Sequence, residues 1–134
     1  MGWLLLTLVG VVLSPASSNG QKLDPASLET GAYLYRAHCA VCHGKTGEGD
    51  GPLSEQLRAL PADLTRVAAR NGGRWSFEDV ARTIDGRNPL RGHGGPEMPI
   101  WGDAFKERAE GFSEQKARQR IDKLVRYLES IQRK

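Results

Sequence analysis

Cysteine occurs only twice in the 134 residues, at positions 39 and 42. A disulfide framework beyond that single pair is therefore excluded. A structural zinc site is nearly as hard to build. Only His38, His43 and His93 stand beside the two thiols, and His38 is adjacent to Cys39, a poor set for a tetrahedral Cys/His cage. Aromatic residues make up 7% of the chain, so large core side chains are scarce. No apolar run approaches the roughly 20 residues that span a bilayer. The formal charge of +3 and pI near 9.1 are too mild to argue for nucleic acid, and no stacking-aromatic or recognition-helix pattern adds to that case. No segment alternates like a strand, and there is no internal repeat and no βαβ unit. Methionine is found at Met1 and Met98 alone.

What is present begins with an apolar run from Trp3 to Leu13, broken only by Thr7 and Gly10 and followed by Ser14-Pro15-Ala16-Ser17-Ser18. A short apolar segment with small residues behind it reads as a secretory signal over 1–18. The α-amino group is the only positive charge ahead of the run, so retention as an uncleaved anchor is the alternative. Export places the protein in the periplasm or another extracytoplasmic space. Residues 19–27 read as a linker and 28–134 as one domain, of a size at which core burial alone leaves little stability margin.

The domain reads as all-α. Asp24-Pro25 combines an N-cap acceptor with proline at the first helical position, predicting a helix to about His38. Gly31 lies inside it, at a cost of about 1 kcal/mol against alanine, which close approach of another helix would justify. Four glycines between Gly44 and Pro52 break regular structure. Short helices are expected over 53–60, 64–70 and 103–109. Ser76 to Asp79 fits a capping pattern ahead of Phe77, Val80, Ala81 and Ile84. Arg87 to Gly102 is a long loop rich in glycine and proline, of the kind that is usually functional. Ser113 caps a last amphipathic helix carrying Ala117, Ile121, Leu124, Leu128 and Ile131.

The chemistry centres on Cys39-Ala40-Val41-Cys42-His43. A C-x-x-C-H run reads as a c-type haem attachment site. Its two thiols reach the two vinyl groups of one haem, and the adjacent histidine provides a proximal iron ligand. A thioredoxin-like redox pair would need a strand before the motif, and none is there. For the sixth ligand, Met98 is the only methionine outside the export segment. It lies in a loop between Pro96 and Pro99 instead of on an apolar helix face, where methionine usually acts as filler. His93, flanked by glycines, is the competitor. Met98 is favoured because Met/His ligation is the common cytochrome c arrangement.

Over about Leu28 to Ile131 the residues resemble class I c-type cytochromes, of the small bacterial monohaem kind. Gly31 and Tyr35 precede the first cysteine at the family's spacing, Cys42 to Pro52 matches its C-H-G-x-x-G-x-G-D-G-P loop, and Ile84 to Arg87 and Met98 to Gly102 match I-D-G-R and M-P-x-W-G. The resemblance implies a cytochrome c fold, with several short helices and loops wrapped around one covalently bound haem c. It implies that Gly31 and Tyr35 pack on a C-terminal helix through Leu124, Tyr127 and Leu128. It also implies that the Pro52 carbonyl accepts a hydrogen bond from His43, a partner that would orient the imidazole. Trp75 and Trp101 are candidates for packing on the porphyrin or bonding a propionate. Arg74 and Arg87 are candidates for pairing with propionates, with solvated surface positions as the alternative.

The expected activity is single-electron transfer between respiratory redox partners, not catalysis. Arg66, Arg70, Arg74, Arg82, Arg87 and Arg91 suggest a weakly basic rim for acidic docking surfaces, against scattered charge that only aids solubility. Two alternatives stay open: a haem subunit of a larger dehydrogenase or oxidase, and a haem peroxidase or ligand sensor with a labile methionine.

Overall fold

The computed structural model describes residues 24–87, 98–107 and 113–133. Residues 1–18, read as a signal on sequence, lie outside the described residues, as do His93 and Arg91. Helix α1 (Pro25–His38) starts where an acceptor and a proline coincide: the Asp24 carboxylate accepts from the Ser27 amide at 3.0 Å. Asp24 to Ser27 are thus the cap and first turn of α1, where the sequence placed the helix start. A four-residue helix α2 (Ala40–His43) follows at once, its amides at Cys42 and His43 both bonded to the Cys39 carbonyl.

The helix expected over 53–60 is reduced to a 3₁₀ turn at Ser54–Gln56, because it has no side-chain cap and Pro61 closes it. Asp63 caps the next element, accepting from the Thr65 amide at 2.9 Å. That element is a 3₁₀ turn at Leu64–Arg66 running into α3 (Val67–Arg70). Ser76 caps α4 (Phe77–Asp85), which ends at Gly86 in the left-handed conformation, φ 72°. Helix α5 (Trp101–Glu107) begins two residues ahead of the expected 103, and α6 (Glu114–Ser130) is capped by Ser113. No strand occurs among the described residues, and the fold is all-α.

Helix α6 is the spine. It packs against α1, α4 and α5 and contributes Ala117, Ile121, Leu124, Val125 and Leu128 to the core, beside Leu34 and Tyr35 from α1, Ile84 from α4 and Phe105 from α5. The α1–α6 crossing is close because residue 31 lacks a side chain. A Cβ there would overlap the Lys123 carbonyl oxygen and stand 2.8 Å from the Tyr127 Cβ. One turn on, the Tyr35 and Tyr127 rings meet at 5.3 Å between centroids. The tail after α6 ties down the 64–68 turn. Gln132 donates to the Leu64 carbonyl at 2.7 Å and accepts from the Ala68 amide at 3.0 Å, and Arg133 donates its amide to Thr65. No described helix is long and apolar enough to cross a membrane.

Candidate functional site

The site is built on the α1–α2 junction. Because Cys39 caps α2 and Cys42 lies within it, one helical turn separates the two sulfurs. Both thiols are free and half-buried. Burial, with the Cys42 thiol next to it, pushes the Cys39 thiol up to about 12. A thiol raised in this way gives little thiolate at neutral pH and is a weak nucleophile. It retains the S–H needed to add across a vinyl group.

His43 is fixed by one contact. Its Nδ1 lies 3.0 Å from the Ala62 carbonyl oxygen. A carbonyl can only accept, so Nδ1 carries the proton and Nε2 keeps its lone pair. Burial, partly offset by that hydrogen bond, holds the imidazole below its ordinary pKa. A neutral ring with a free Nε2 is the form that binds a metal.

The partner carbonyl is a correction. The family resemblance pointed to Pro52, but Pro52 is exposed and its turn is bonded to the α2 backbone, with Gly51 N to Cys42 O at 3.1 Å and Leu53 N to Val41 O at 3.0 Å. The segment that does fold back over the imidazole is 61–64. Leu64 donates to Gly47 O at 2.6 Å, and Gly49 lies so close to the Pro61 carbonyl that a Cβ would collide with it. The signal that could have found Ala62 is the Pro61-Ala62-Asp63 turn, with the Asp63 cap behind it. The loop after His43 is further held by Tyr35, fully buried, whose hydroxyl donates to Gly44 O at 2.6 Å.

Met98 and Trp75 are half-buried and pack against the core cluster, as does Trp101. The Trp75 indole Nε1 is buried with no hydrogen-bond partner among the described residues. A buried N–H without an acceptor is costly, so an acceptor from a bound group would complete it. Trp101 stacks on Phe105 at 5.4 Å and meets the His38 ring at the same distance. It belongs to an aromatic cluster that joins α5 to the end of α1.

Arg74 is exposed. Arg87 is committed elsewhere: its guanidinium lies 2.8 Å from carboxylate oxygens of both Asp85 and Glu114. Of the two roles left open for Arg87, propionate partner or surface position, these ion pairs place its side chain at the exposed junction of Asp85 and Glu114.

Two thiols one turn apart, a tautomer-fixed imidazole beside them and an unsatisfied indole donor fit a covalently attached haem. A family model described as Cytochrome c matches residues 28–132. No curated protein matches the chain.

Proposed function

The chain belongs to the cytochrome c family, and on that premise we infer that it is an exported carrier of single electrons between respiratory redox partners, with His43 and Met98 as axial ligands. Family membership gives a covalently attached haem c and electron transfer; the ligand set, export and the partners are the proposal. The haem, once attached, supplies a one-electron iron couple.

The chain's own residues do the rest. Cys39 and Cys42 tether the group to α2. The Ala62 carbonyl orients the His43 ring and raises its basicity. Met98 supplies a thioether, which favours the reduced state and raises the potential. His43 and Met98 would both ligate the iron, which favours electron transfer over catalysis. Trp75 offers an N–H to a carboxylate of the bound group. Arg66, Arg70 and Arg74 are exposed and supply the basic surface for an acidic partner. Turnover that slows as ionic strength rises would support that docking mode.

The observation that carries the proposal is the fixed tautomer of His43, which leaves Nε2 free beside the two thiols. The test is optical. The pyridine haemochrome spectrum should report covalent c-type haem, and the oxidised protein should show the weak sulfur-to-iron band, lost in Met98→Ala. Persistence of that band in Met98→Ala would remove Met98 from the assignment. Carbon monoxide should leave the reduced protein unchanged at neutral pH; ready binding would favour a ligand sensor or peroxidase instead.

A further inference from the structure

Helix α4 ends in Asp85-Gly86-Arg87, and the left-handed Gly86 turns the chain so that Arg87 folds back on Asp85. The guanidinium forks onto that carboxylate, Nε to Oδ1 and Nη2 to Oδ2, each at 2.8 Å. Its remaining nitrogen, Nη1, donates to both carboxylate oxygens of Glu114 at 3.0 and 2.8 Å. Glu114 is the first residue of α6. Helix α5 joins from the other side: Lys106 Nζ lies 2.6 Å from Glu114, and Asp103 lies 3.9 Å from Arg87 Nε. One arginine thereby links three helices.

The segment that carries Met98 rests directly on this clasp. A Cβ at Gly86 would come within 3.2 Å of the Ile100 Cα, and a Cβ at Gly102 within 2.5 Å of Arg87 Nε and 2.7 Å of Asp85 Oδ1. Ile100 and Gly102 lie two and four residues beyond Met98. Two glycines thus let the methionine segment sit against the ion-pair cluster.

We propose that the Asp85–Arg87–Glu114 clasp is the positioning device for the sixth ligand, setting how readily the Met98 thioether yields to an external base. None of the three residues touches the iron; they act by holding residues 100 to 102, and through them Met98. The proposal rests on the reading of Met98 as axial ligand.

The test titrates imidazole into the oxidised, haem-loaded full chain while following the sulfur-to-iron band. Arg87→Ala should bind imidazole at least tenfold more tightly than the wild type. Arg87→Lys should recover only part of the difference, because an ammonium cannot fork onto Asp85 and still reach Glu114 as a planar guanidinium does. Arg82→Ala is the control. It removes an ion pair within α4, to Asp79 at 2.7 Å, and should stay within twofold of wild type. Glu114→Gln, a milder change, should shift affinity two- to fourfold in the same direction, and it decides the matter if Arg87→Ala does not fold. Wild-type imidazole affinity in folded Arg87→Ala, or in Glu114→Gln, overturns the clasp whatever happens to thermal stability. A wild-type protein without the sulfur-to-iron band, unchanged by Met98→Ala, overturns the axial assignment and the clasp with it. A band present in wild type with affinities insensitive to Arg87 overturns the clasp alone.

Discussion

At the scale of single residues, small groups decide where larger ones can lie. Gly31 is the clearest case. Alanine would gain about 1 kcal/mol of helix propensity, but its methyl would have to displace a backbone carbonyl of α6, which cannot rotate aside. Overpacking of that kind costs about 1–3 kcal/mol and should win. Gly31→Ala is expected to lower the denaturant midpoint of the holoprotein by the equivalent of about 1–2 kcal/mol, with an unchanged slope. Tyr35→Phe should cost about 1–2 kcal/mol by the same measurement, since it strands the buried Gly44 carbonyl without its donor. Gly31 and Tyr35 were legible because their spacing from Cys39 is part of the family pattern. Ala62 was not, because the carbonyl that reaches His43 is chosen by a fold-back of the 61–64 turn that no side chain at 62 advertises. The pairing of Arg87 with Glu114 was hidden for a related reason: the two are far apart in sequence, and only the fold brings them together.

At the scale of elements, the clasp between α4, α5 and α6 makes stability depend on acid pH. The hydrogen bond from Arg87 holds Asp85 below the usual carboxylate range, and Lys106 followed by Arg87 does the same for Glu114. A carboxylate depressed in the folded state contributes stability above its unfolded pKa, near 4, and loses it as pH falls through the folded value. Wild type should therefore lose more stability than Arg87→Ala between about pH 5 and pH 2, seen as converging denaturation midpoints. These groups are partly exposed, and isolated surface pairs contribute little, so the fork onto Asp85 should account for most of the difference. Helices α1, α4 and α6 could be read from their caps, Asp24, Ser76 and Ser113, with apolar spacing behind them. The early start of α5 could not, because Trp101 is drawn into helix by its contacts with Phe105 and His38 and not by a local signal. Nor did spacing foretell that α2 is a separate four-residue helix.

At the scale of the whole molecule, α6 and its neighbours bury few large side chains; among the described residues Tyr35 and Phe105 are the only aromatics fully inside. Cys39, Met98, Trp75 and Trp101 lie half-buried around that cluster, the arrangement expected where an apolar prosthetic group completes the interior. Cys39→Ala/Cys42→Ala protein prepared without haem is expected to keep helical far-UV dichroism but lose near-UV signal and melt without a sharp transition. A cooperative melt at the holoprotein's temperature would show that the polypeptide core suffices alone.

The crossing of α1 on α6 also imposes an order of events on maturation. Gly31 and the Tyr35 ring find their packing partners on α6, Lys123 and Tyr127, at the far end of the matched region. A chain that emerges from its N-terminus exposes the two thiols long before α6 exists to lock the helix beside them. Because the haem-free protein is expected to leave that crossing unfixed, attachment at Cys39 and Cys42 would precede the docking of α6.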